Sequence, residues 1–192
     1  MTGIILASGF SRRMEDEKLL LDVGGLPMVE RVIRAAQSPL IGEAILIYRD
    51  DAVKAIGERY RLKTLYNPHA EEGQSAAVKL GISSADPAAD GFMFFVGDQP
   101  CLTQSTVNEL IRIFAGKNSS VVVPLYNGRR GNPVIFPSLL KETLLGLEGD
   151  CGGRTVLEGM KDTIVLVPID AGSEGRDIDT KADYEKMLSS PE

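Results

Sequence analysis

The sequence predicts an α/β fold with three layers, in which a mostly parallel, Rossmann-like sheet carries helices on both of its faces. Apolar segments alternate with segments of helical periodicity along the 192 residues, and this alternation predicts successive βαβ units. The apolar segments, such as residues 91–96, are continuous rather than alternating, which is typical of strands buried on both faces. The chain length predicts a single domain over residues 1–192.

The predicted elements follow one another without an internal repeat. We predict strands over residues 2–7, 44–48, 62–66, 91–96, 120–124, 133–136 and 163–168. We predict helices over residues 27–37, 52–60, 74–83, 105–115, 138–145 and 181–188. Pro27 suits the first position of its helix, because the proline nitrogen has no hydrogen to leave unpaired. The pattern changes after Pro124, and we predict a substrate-side insert over 126–155 with a glycine-rich loop at 149–153.

Composition and charge exclude several classes of protein. Lys and Arg number 21 against 27 Asp and Glu, and the formal charge of -6 argues against broad binding to nucleic acid or an anionic membrane. No apolar run approaches the roughly 18 residues of a membrane-spanning helix, and the apolar start of the chain lacks the basic residues of a secretory signal. Cys101 and Cys151 form no CxxC pair, so we expect neither a disulfide framework nor a zinc site. A cytoplasmic protein is the expectation that follows.

The end of the first strand carries a candidate phosphate-binding loop. Ala7, Ser8 and Gly9 are small enough for the backbone to approach a ligand, and consecutive N–H groups there suit an anion. Arg13 and Lys18 add positive charge suited to a triphosphate. The loop matches neither G-x-G-x-x-G nor G-x-x-x-x-G-K-[ST]. From the residues alone, an ordinary turn with solvated basic side chains is an equal alternative.

Acidic residues stand where a metal site is expected. Asp98 directly follows the strand 91–96, at the edge where ligands bind in open parallel sheets. Asp177 and Asp179 are two positions apart, so in an extended segment they point to one face. Carboxylate oxygens are the ligands that Mg²⁺ prefers. Alternatives stay open for both sites. Asp98 could be the cap of a turn, and Asp177 could cap the last helix or support the metal ligands without binding the metal itself.

Several short motifs together resemble the MobA-like nucleotidyltransferases, whose fold is the nucleotide-diphospho-sugar transferase type. The motifs occur in order over nearly the whole chain: Leu6-Ala7-Ser8-Gly9, Ser11-Arg12-Arg13-Met14, Lys18-Leu19-Leu20, Gly97-Asp98-Gln99-Pro100, Arg130-Gly131-Asn132-Pro133-Val134 and Asp177-Ile178-Asp179-Thr180. Within that group the sequence is most similar to the molybdenum cofactor cytidylyltransferases. It departs from the group at Glu15-Asp16-Glu17, where a glycine commonly follows the methionine, and this predicts an altered loop before Lys18.

The resemblance implies a catalytic set and a metal. Arg13 and Lys18 would hold the triphosphate, and Asp98 would complete the catalytic residues. Asp98 and Asp179 would be the metal ligands. The implied cofactor is Mg²⁺, with Mn²⁺ as an alternative.

The resemblance also implies the nucleotide contacts. They would come from Leu6, Ala7, Ser8, Gly9, Arg13, Lys18, Asn67, Gly73, Gln74, Ser75 and Asp98. The base contacts among them would be Asn67 and the segment 73–75, although Gln74 and Ser75 as a simple helix cap are the alternative from the residues alone. Cytidylyl-transferring relatives carry Ala-Ala-Gly where this chain has Ala7-Ser8-Gly9, and guanylyl-transferring relatives carry Gly-Gly, so the resemblance favours CTP.

The acceptor side rests on fewer residues. Arg130, Asn132 and Pro133 are the implied substrate-binding residues, because guanidinium groups beside a turn suit a phosphate. A solvated hairpin tip is the alternative. The segment 149–154 resembles the Gly-Asp-x-Gly-x-Arg loop of the cytidylyl group, which would fold over a pterin. His69 is expected to be a surface residue.

These expectations combine into one predicted reaction. The chain would move CMP from CTP to the terminal phosphate of Mo-molybdopterin, giving molybdopterin cytosine dinucleotide and pyrophosphate. The predicted partners are CTP and Mo-molybdopterin, with a client molybdoenzyme as a further candidate. The alternatives are the same chemistry with GTP or a sugar-phosphate acceptor, a family-related oxidoreductase, and a cofactor-delivery chaperone. The missing G-x-G-x-x-G counts against the oxidoreductase.

Overall fold

A computed structural model describes residues 1–10, 14, 17–160 and 163–189, with the side chain of Arg154 left aside. Over these residues the chain forms eight strands: β1 (Thr2–Ala7), β2 (Glu43–Tyr48), β3 (Lys63–Tyr66), β4 (Gly91–Val96), β5 (Val121–Tyr126), β6 (Arg129–Arg130), β7 (Val134–Pro137) and β8 (Ile164–Ile169). They form one sheet with the order β3-β2-β1-β4-β7-β5-β6, and β8 pairs with β5.

Most of the strand pairs are parallel, as the sequence predicts. β1 pairs in parallel with β2 and β4, β2 with β3, and β5 with β8. β7 runs antiparallel between β4 and β5, so β5 points the same way as β4. The carboxyl ends of β1, β4 and β5 therefore meet at one edge of the sheet, and this edge is where ligands bind in open α/β sheets.

Helices occupy both faces of this sheet. Over the described residues they are α1 (Met28–Ala36), α2 (Asp51–Arg59), α3 (Gln74–Ser84), α4 (Gln104–Ala115), α5 (Lys141–Leu145), α6 (Gly153–Glu158) and α7 (Lys181–Ser189). Short 3-10 turns cover Lys18–Leu20, Ala70–Glu72 and Ser138–Leu140. Side chains fix several helix starts: Asp50 accepts a hydrogen bond from Ala52 N at 2.7 Å, and Thr103 accepts one from Thr106 N at 3.3 Å.

Successive residues of the central strands β1 and β4 pack into two separate hydrophobic cores, one on each face of the sheet. Ile5 and Phe95 pack with α1, α2 and α4 on one face, while Ile4 and Phe94 pack with α3, α5 and α6 on the other. All four side chains are at most 6 % exposed. The alternation follows from the pleat, because successive side chains of a strand point to opposite faces. The predicted three-layer fold is therefore confirmed.

The stretch 126–155 differs most from its predicted form. The sequence predicts an insert there, yet β7 lies within the sheet between β4 and β5. The predicted glycine-rich loop at 149–153 is followed by α6, a helix that the sequence analysis does not predict. Gly153 is the first residue of this helix, and an added Cβ there would lie 2.7 Å from the Phe136 ring, so packing favours glycine at this position. None of the helices in the described ranges is long and apolar enough to cross a membrane.

Candidate active site

A cavity of about 420 Å³ opens at the carboxyl ends of β1 and β4. Its volume lies within the roughly 300–1,000 Å³ that is usual for small-molecule sites. The lining residues are Leu6, Ser8, Gly9, Phe10, Lys18, Leu19, Ala70, Glu71, Glu72, Gly73, Gln74, Ala77, Val96, Gly97, Asp98 and Asp150. The cavity thus lies where the sequence analysis expects the nucleotide.

Gly9 leaves the cavity wall open beside the first strand. An ideal Cβ built on Gly9 would meet no described atom within 4 Å, so packing within the protein does not require a glycine there. Gly97 on the neighbouring strand end is different, because its Cβ would lie 3.1 Å from Leu19. Gly97 N also donates to the Leu6 carbonyl at 3.1 Å. The two strand ends are therefore held side by side, and the backbone at Gly9 is free for close approach by a ligand.

Three charged side chains meet beside the cavity, and two of them, Lys18 and Asp98, belong to its lining. Lys18 Nζ donates to Asp98 Oδ2 at 2.7 Å and to Asp179 Oδ1 at 3.0 Å. The side chains of Lys18 and Asp98 are 16 % and 20 % exposed, whereas that of Asp179 is 49 % exposed. Burial lowers the pKa of Lys18, but the charges and hydrogen bonds of Asp98 and Asp179 outweigh it and raise the pKa overall. Lys18 is therefore a fixed positive charge at neutral pH.

Asp177 lies beside this cluster and has its own partner. Gln99 Nε2 donates to Asp177 Oδ1 at 2.8 Å, and Ile178 N donates to the Asp98 carbonyl at 3.1 Å. Loss of hydration on burial and the charge of Asp98 raise the pKa of Asp177, although the hydrogen bond from Gln99 lowers it. The alternative that Asp177 caps the last helix is wrong. That role belongs to Thr180, which accepts from Asp183 N at 3.2 Å.

The donor set of Asp98 and Asp179 fits a divalent cation. Both carboxylates accept from one ammonium group, so they lie close together and require positive charge between them. Carboxylate oxygens with room for phosphate and water ligands are typical of Mg²⁺ and Mn²⁺ sites. The sequence analysis expects these two residues to converge, and the structure brings them together.

Asn67, at the end of β3, connects that strand to the loop that follows β1 and carries Ser8. Its side chain is buried: Nδ2 donates to Ser8 Oγ at 2.9 Å, and Oδ1 accepts from His69 N at 3.1 Å. Both ends of the side-chain amide are thus engaged within the protein. Asn67 thereby fixes the loop that carries Ser8, and the base contact that the resemblance implies for Asn67 stays a prediction.

The loop at 149–150 closes the cavity against the start of α3. Gly73 has φ +96, and an added Cβ would lie 2.6 Å from the backbone of Asp150. Gln74 N donates to Asp150 Oδ1 and Ser75 N donates to the Gly149 carbonyl, both at 3.3 Å. Two of the N–H groups that the first turn of α3 leaves unpaired are therefore satisfied by this loop. The alternative that Gln74 and Ser75 cap the helix is wrong, because both lie inside α3.

The comparisons with known proteins agree with this geometry. A family model described as the MobA-like NTP transferase domain matches residues 3–164. The chain belongs to the MobA-like NTP transferase family. It is therefore a nucleotidyltransferase, and nucleotide binding is expected of it.

Relatives of this MobA-like transferase cover most of its length. The purine catabolism protein PucB of Bacillus subtilis is 29 % identical over 199 residues, which span 97 % of this chain and 95 % of PucB. A probable molybdenum cofactor guanylyltransferase of Bacillus cereus is 26 % identical over 149 residues, 76 % of this chain and 72 % of that protein. The crystal structure of Rv0371c from Mycobacterium tuberculosis has a TM-score of 0.88 at 24 % identity and covers 100 % of this chain and 99 % of Rv0371c.

The structure places the predicted nucleotide residues of this MobA-like transferase in two groups. Seven of them line the cavity over the part of the chain that the structure describes: Leu6, Ser8, Gly9, Lys18, Gly73, Gln74 and Asp98. Ala7, Asn67 and Ser75 lie behind that lining, at most 3 % exposed. Arg13 lies outside the described residues.

The predicted acceptor residues lie at the same edge of the sheet, next to the cavity lining rather than within it. Arg130 belongs to β6 and is exposed, whereas Pro133 is buried. Tyr126 OH donates to the Asn132 carbonyl at 2.9 Å, and burial raises the pKa of Tyr126, so this hydroxyl stays a donor. The register that pairs Val134 with Phe94 brings this turn close to the end of β4.

Sequence reasoning assigned no individual role to three residues of the MobA-like site, although Gln99 and Asp150 belong to motifs that carry the resemblance. Asp150 closes the cavity, Gln99 binds Asp177, and Arg49 holds the first loop. Arg49 stacks over the Phe10 ring at 4.6 Å and pairs with Glu17 at 2.8 Å. Arg49 follows β2 directly, so its position at the carboxyl end of a parallel strand is the signal that would have found it.

Proposed function

We propose that this nucleotidyltransferase moves CMP from CTP to the terminal phosphate of Mo-molybdopterin. An oxygen of the acceptor phosphate forms a bond to the α-phosphorus of CTP, the bond from that phosphorus to its bridging oxygen breaks, and pyrophosphate leaves. The products are molybdopterin cytosine dinucleotide and pyrophosphate. The acceptor oxygen is anionic near neutral pH, so the reaction requires alignment and charge neutralisation rather than a general base.

One observation carries this proposal. Lys18, Asp98 and Asp179 converge from segments up to 161 positions apart, and Lys18 and Asp98 line the cavity together with Gly9. A cavity with a fixed cation, two carboxylates and open space at Gly9 suits a nucleoside triphosphate with its metal.

Each charged residue has a role in the proposal. Lys18 binds phosphate oxygens when CTP is bound, with Arg13 as its predicted partner in the same loop. Asp98 and Asp179 would hold Mg²⁺ or Mn²⁺, and a structure of Rv0371c in complex with manganese, 23 % identical with a TM-score of 0.83, supports the manganese alternative. A bound divalent ion would neutralise charge on the phosphate oxygens.

The base is proposed to lie against the start of α3. Gly73 and Gln74 line that end of the cavity, with Asp150 on the opposing loop. Ser8 and Asn67 shape the wall through their hydrogen bond. Cytosine is proposed because the resemblance of Ala7-Ser8-Gly9 is to the cytidylyl group.

The acceptor is proposed to lie beside the turn that carries Arg130, Asn132 and Pro133. The exposed guanidinium of Arg130 suits a phosphate. The name of the Bacillus cereus relative, a probable molybdenum cofactor guanylyltransferase, supports a molybdenum cofactor acceptor and makes GTP the second candidate nucleotide.

A nucleotide panel tests the proposal. The protein is incubated with Mg²⁺, with either Mo-molybdopterin or a sugar phosphate as the acceptor, and with CTP, GTP or UTP. Pyrophosphate release and the nucleotide-containing product are measured. We expect release with CTP. Release with GTP alone would replace the base assignment, and release only with a sugar phosphate as acceptor would replace the acceptor. No release with any nucleotide would contradict the proposed reaction.

A further inference from the structure

We propose that Gln99 is a positioning residue for the metal site: its buried side-chain amide orients Asp177 and so holds Asp179 at a fixed place opposite Asp98. This inference rests on the proposed function, because it assigns Asp98 and Asp179 to a divalent cation. Neither the resemblance nor the comparisons assign a role to Gln99 or to its contact with Asp177.

The contact joins a buried amide to a charged group at the edge of the site. Gln99 is 2 % exposed, and its Nε2 donates to Asp177 Oδ1 at 2.8 Å. Nε2 also lies 3.5 Å from the Gly175 carbonyl. An ionised carboxylate only accepts hydrogen bonds, so the amide must present its nitrogen to Asp177. This sets the direction of the Gln99 side chain.

The contact with Asp177 leaves the oxygen of the same Gln99 amide without a partner among the described residues. This oxygen, Oε1, is buried. A buried acceptor without a partner is unfavourable, and an apolar side chain of similar length would avoid that penalty. Stability alone therefore does not account for a glutamine here, whereas the bond to Asp177 does.

Two consecutive residues hold the acidic segment at two points. The Asp98 carbonyl accepts from Ile178 N at 3.1 Å, while the Gln99 side chain binds Asp177. Ile178 is fully buried, so the segment is also anchored through its apolar side chain. The next residue, Asp179, reaches Lys18 at 3.0 Å. Residues 98–99 thereby fix the distance between the two carboxylates that would share the cation.

Mn²⁺ affinity provides the test, because it does not depend on turnover. Free Mn²⁺ is measured by electron paramagnetic resonance in titrations of the full chain with CTP present. The variants are Gln99→Met, Asp177→Ala and the double variant. The matched control is Gln104→Met, which also removes a glutamine hydrogen bond, from Nε2 to the Gln37 carbonyl at 2.6 Å.

We expect Gln99→Met to weaken Mn²⁺ binding about 10-fold, the lower end of the usual effect of removing a partner that orients a metal ligand, because Gln99 acts on Asp179 through Asp177. Its melting temperature should stay close to that of the control, since the unpaired Oε1 is lost together with the bond. The double variant should bind Mn²⁺ as Asp177→Ala does, because both changes break one interaction.

Different outcomes separate this inference from the proposed function. Unchanged Mn²⁺ affinity in Gln99→Met, with normal binding by the parent protein, overturns the positioning role alone. Losses that multiply in the double variant overturn it too, because Gln99 would then act through another group. If the parent protein binds no Mn²⁺ with CTP, both the metal assignment and the role of Gln99 fail.

Discussion

Opposite charges hold one side of the cavity, and neutral contacts hold the other. On what we call the charged side, Lys18 lies between Asp98 and Asp179. On the neutral side, Asn67 bonds to Ser8, and the backbone of Gly73 packs against the loop at 149–150. Charged contacts can be exchanged for the charges of a ligand, whereas the neutral contacts must persist because they define the shape of the wall. The two sides should therefore respond differently to substitution.

The largest expected effect is on the charged side, in Asp98→Asn. The change keeps the shape of the side chain but removes the charge that Lys18 and the cation share. We expect pyrophosphate release to fall about 10²- to 10³-fold, the usual loss when one preorganised electrostatic group is removed. Asp51→Asn on the exposed first turn of α2 is the control. A loss smaller than about tenfold in a folded Asp98→Asn protein would contradict the expected sensitivity of the charged side.

Lys18→Met tests whether the charged contacts can be exchanged. Lys18 Nζ now supplies positive charge to both carboxylates, at 2.7 and 3.0 Å. Without it, Mn²⁺ should bind more tightly when no nucleotide is present, because the cation no longer displaces an ammonium group. CTP should bind about 10- to 100-fold more weakly, which corresponds to one charged hydrogen bond. Weaker Mn²⁺ binding without nucleotide would show that Lys18 does not compete for that place.

Substitution of two glycines should affect different properties: Gly73→Ala the stability of the fold, and Gly9→Ala the affinity for CTP. Gly73→Ala should lower the free energy of unfolding by about 1–3 kcal/mol, because φ is +96 and the added Cβ meets the Asp150 backbone. Gly9→Ala has open space for its Cβ, so its unfolding should be unchanged while CTP affinity falls. Chemical denaturation and CTP titration of both variants decide this. Equal destabilisation by the two changes would remove the distinction.

Arg49→Lys examines how the first loop is held. Lysine keeps the charge that pairs with Glu17 but loses the planar group that stacks on Phe10. Such a stack contributes about 0.5–1 kcal/mol at exposed sites, so CTP affinity should fall a few-fold. Arg112→Lys, at the last turn of α4, is the matched control. A change no larger than that of the control would show that the stack does not support nucleotide binding.

Patterns within single segments of the sequence predict the strands and helices that form from those segments. The continuous apolar run Gly91–Val96 predicted β4 with its bounds, since it reports burial on both faces. The same reasoning could not find that β7 enters the sheet between β4 and β5, because periodicity indicates burial but not which strand is the neighbour. The helix α6 was missed for another reason. Its start is Gly-Gly, and glycine is typical of loops.

The site divides in the same way. Motif order singled out Lys18, Asp98 and Asp179, and the structure brings the three together. The bond between Gln99 and Asp177 spans 78 positions, and no spacing rule relates residues that are so far apart. Asn67 was predicted as a base contact because an amide suits a base. Its burial against Ser8 appears only once β1 and β3 are placed in one sheet.

The smallest expected effect concerns the helix that follows the acidic segment. Asp183 accepts from the Thr180 hydroxyl at 2.6 Å and from Thr180 N at 2.9 Å, and these hydrogen bonds lower the pKa of Asp183 from 3.8. A lowered pKa in the folded state means that the ionised form stabilises the fold above pH 3.8 and that this contribution is lost as the pH falls through the lower folded value. The melting temperature of Asp183→Asn should therefore be slightly below that of the parent protein at pH 7, and the difference should shrink on acidification.

Because Thr180 adjoins Asp179, a loss of Mn²⁺ affinity in Asp183→Asn would show that the charged side depends on this helix start as well as on Gln99. We expect no such loss, since Gln99, Ile178 and the Asp98 carbonyl together anchor the segment.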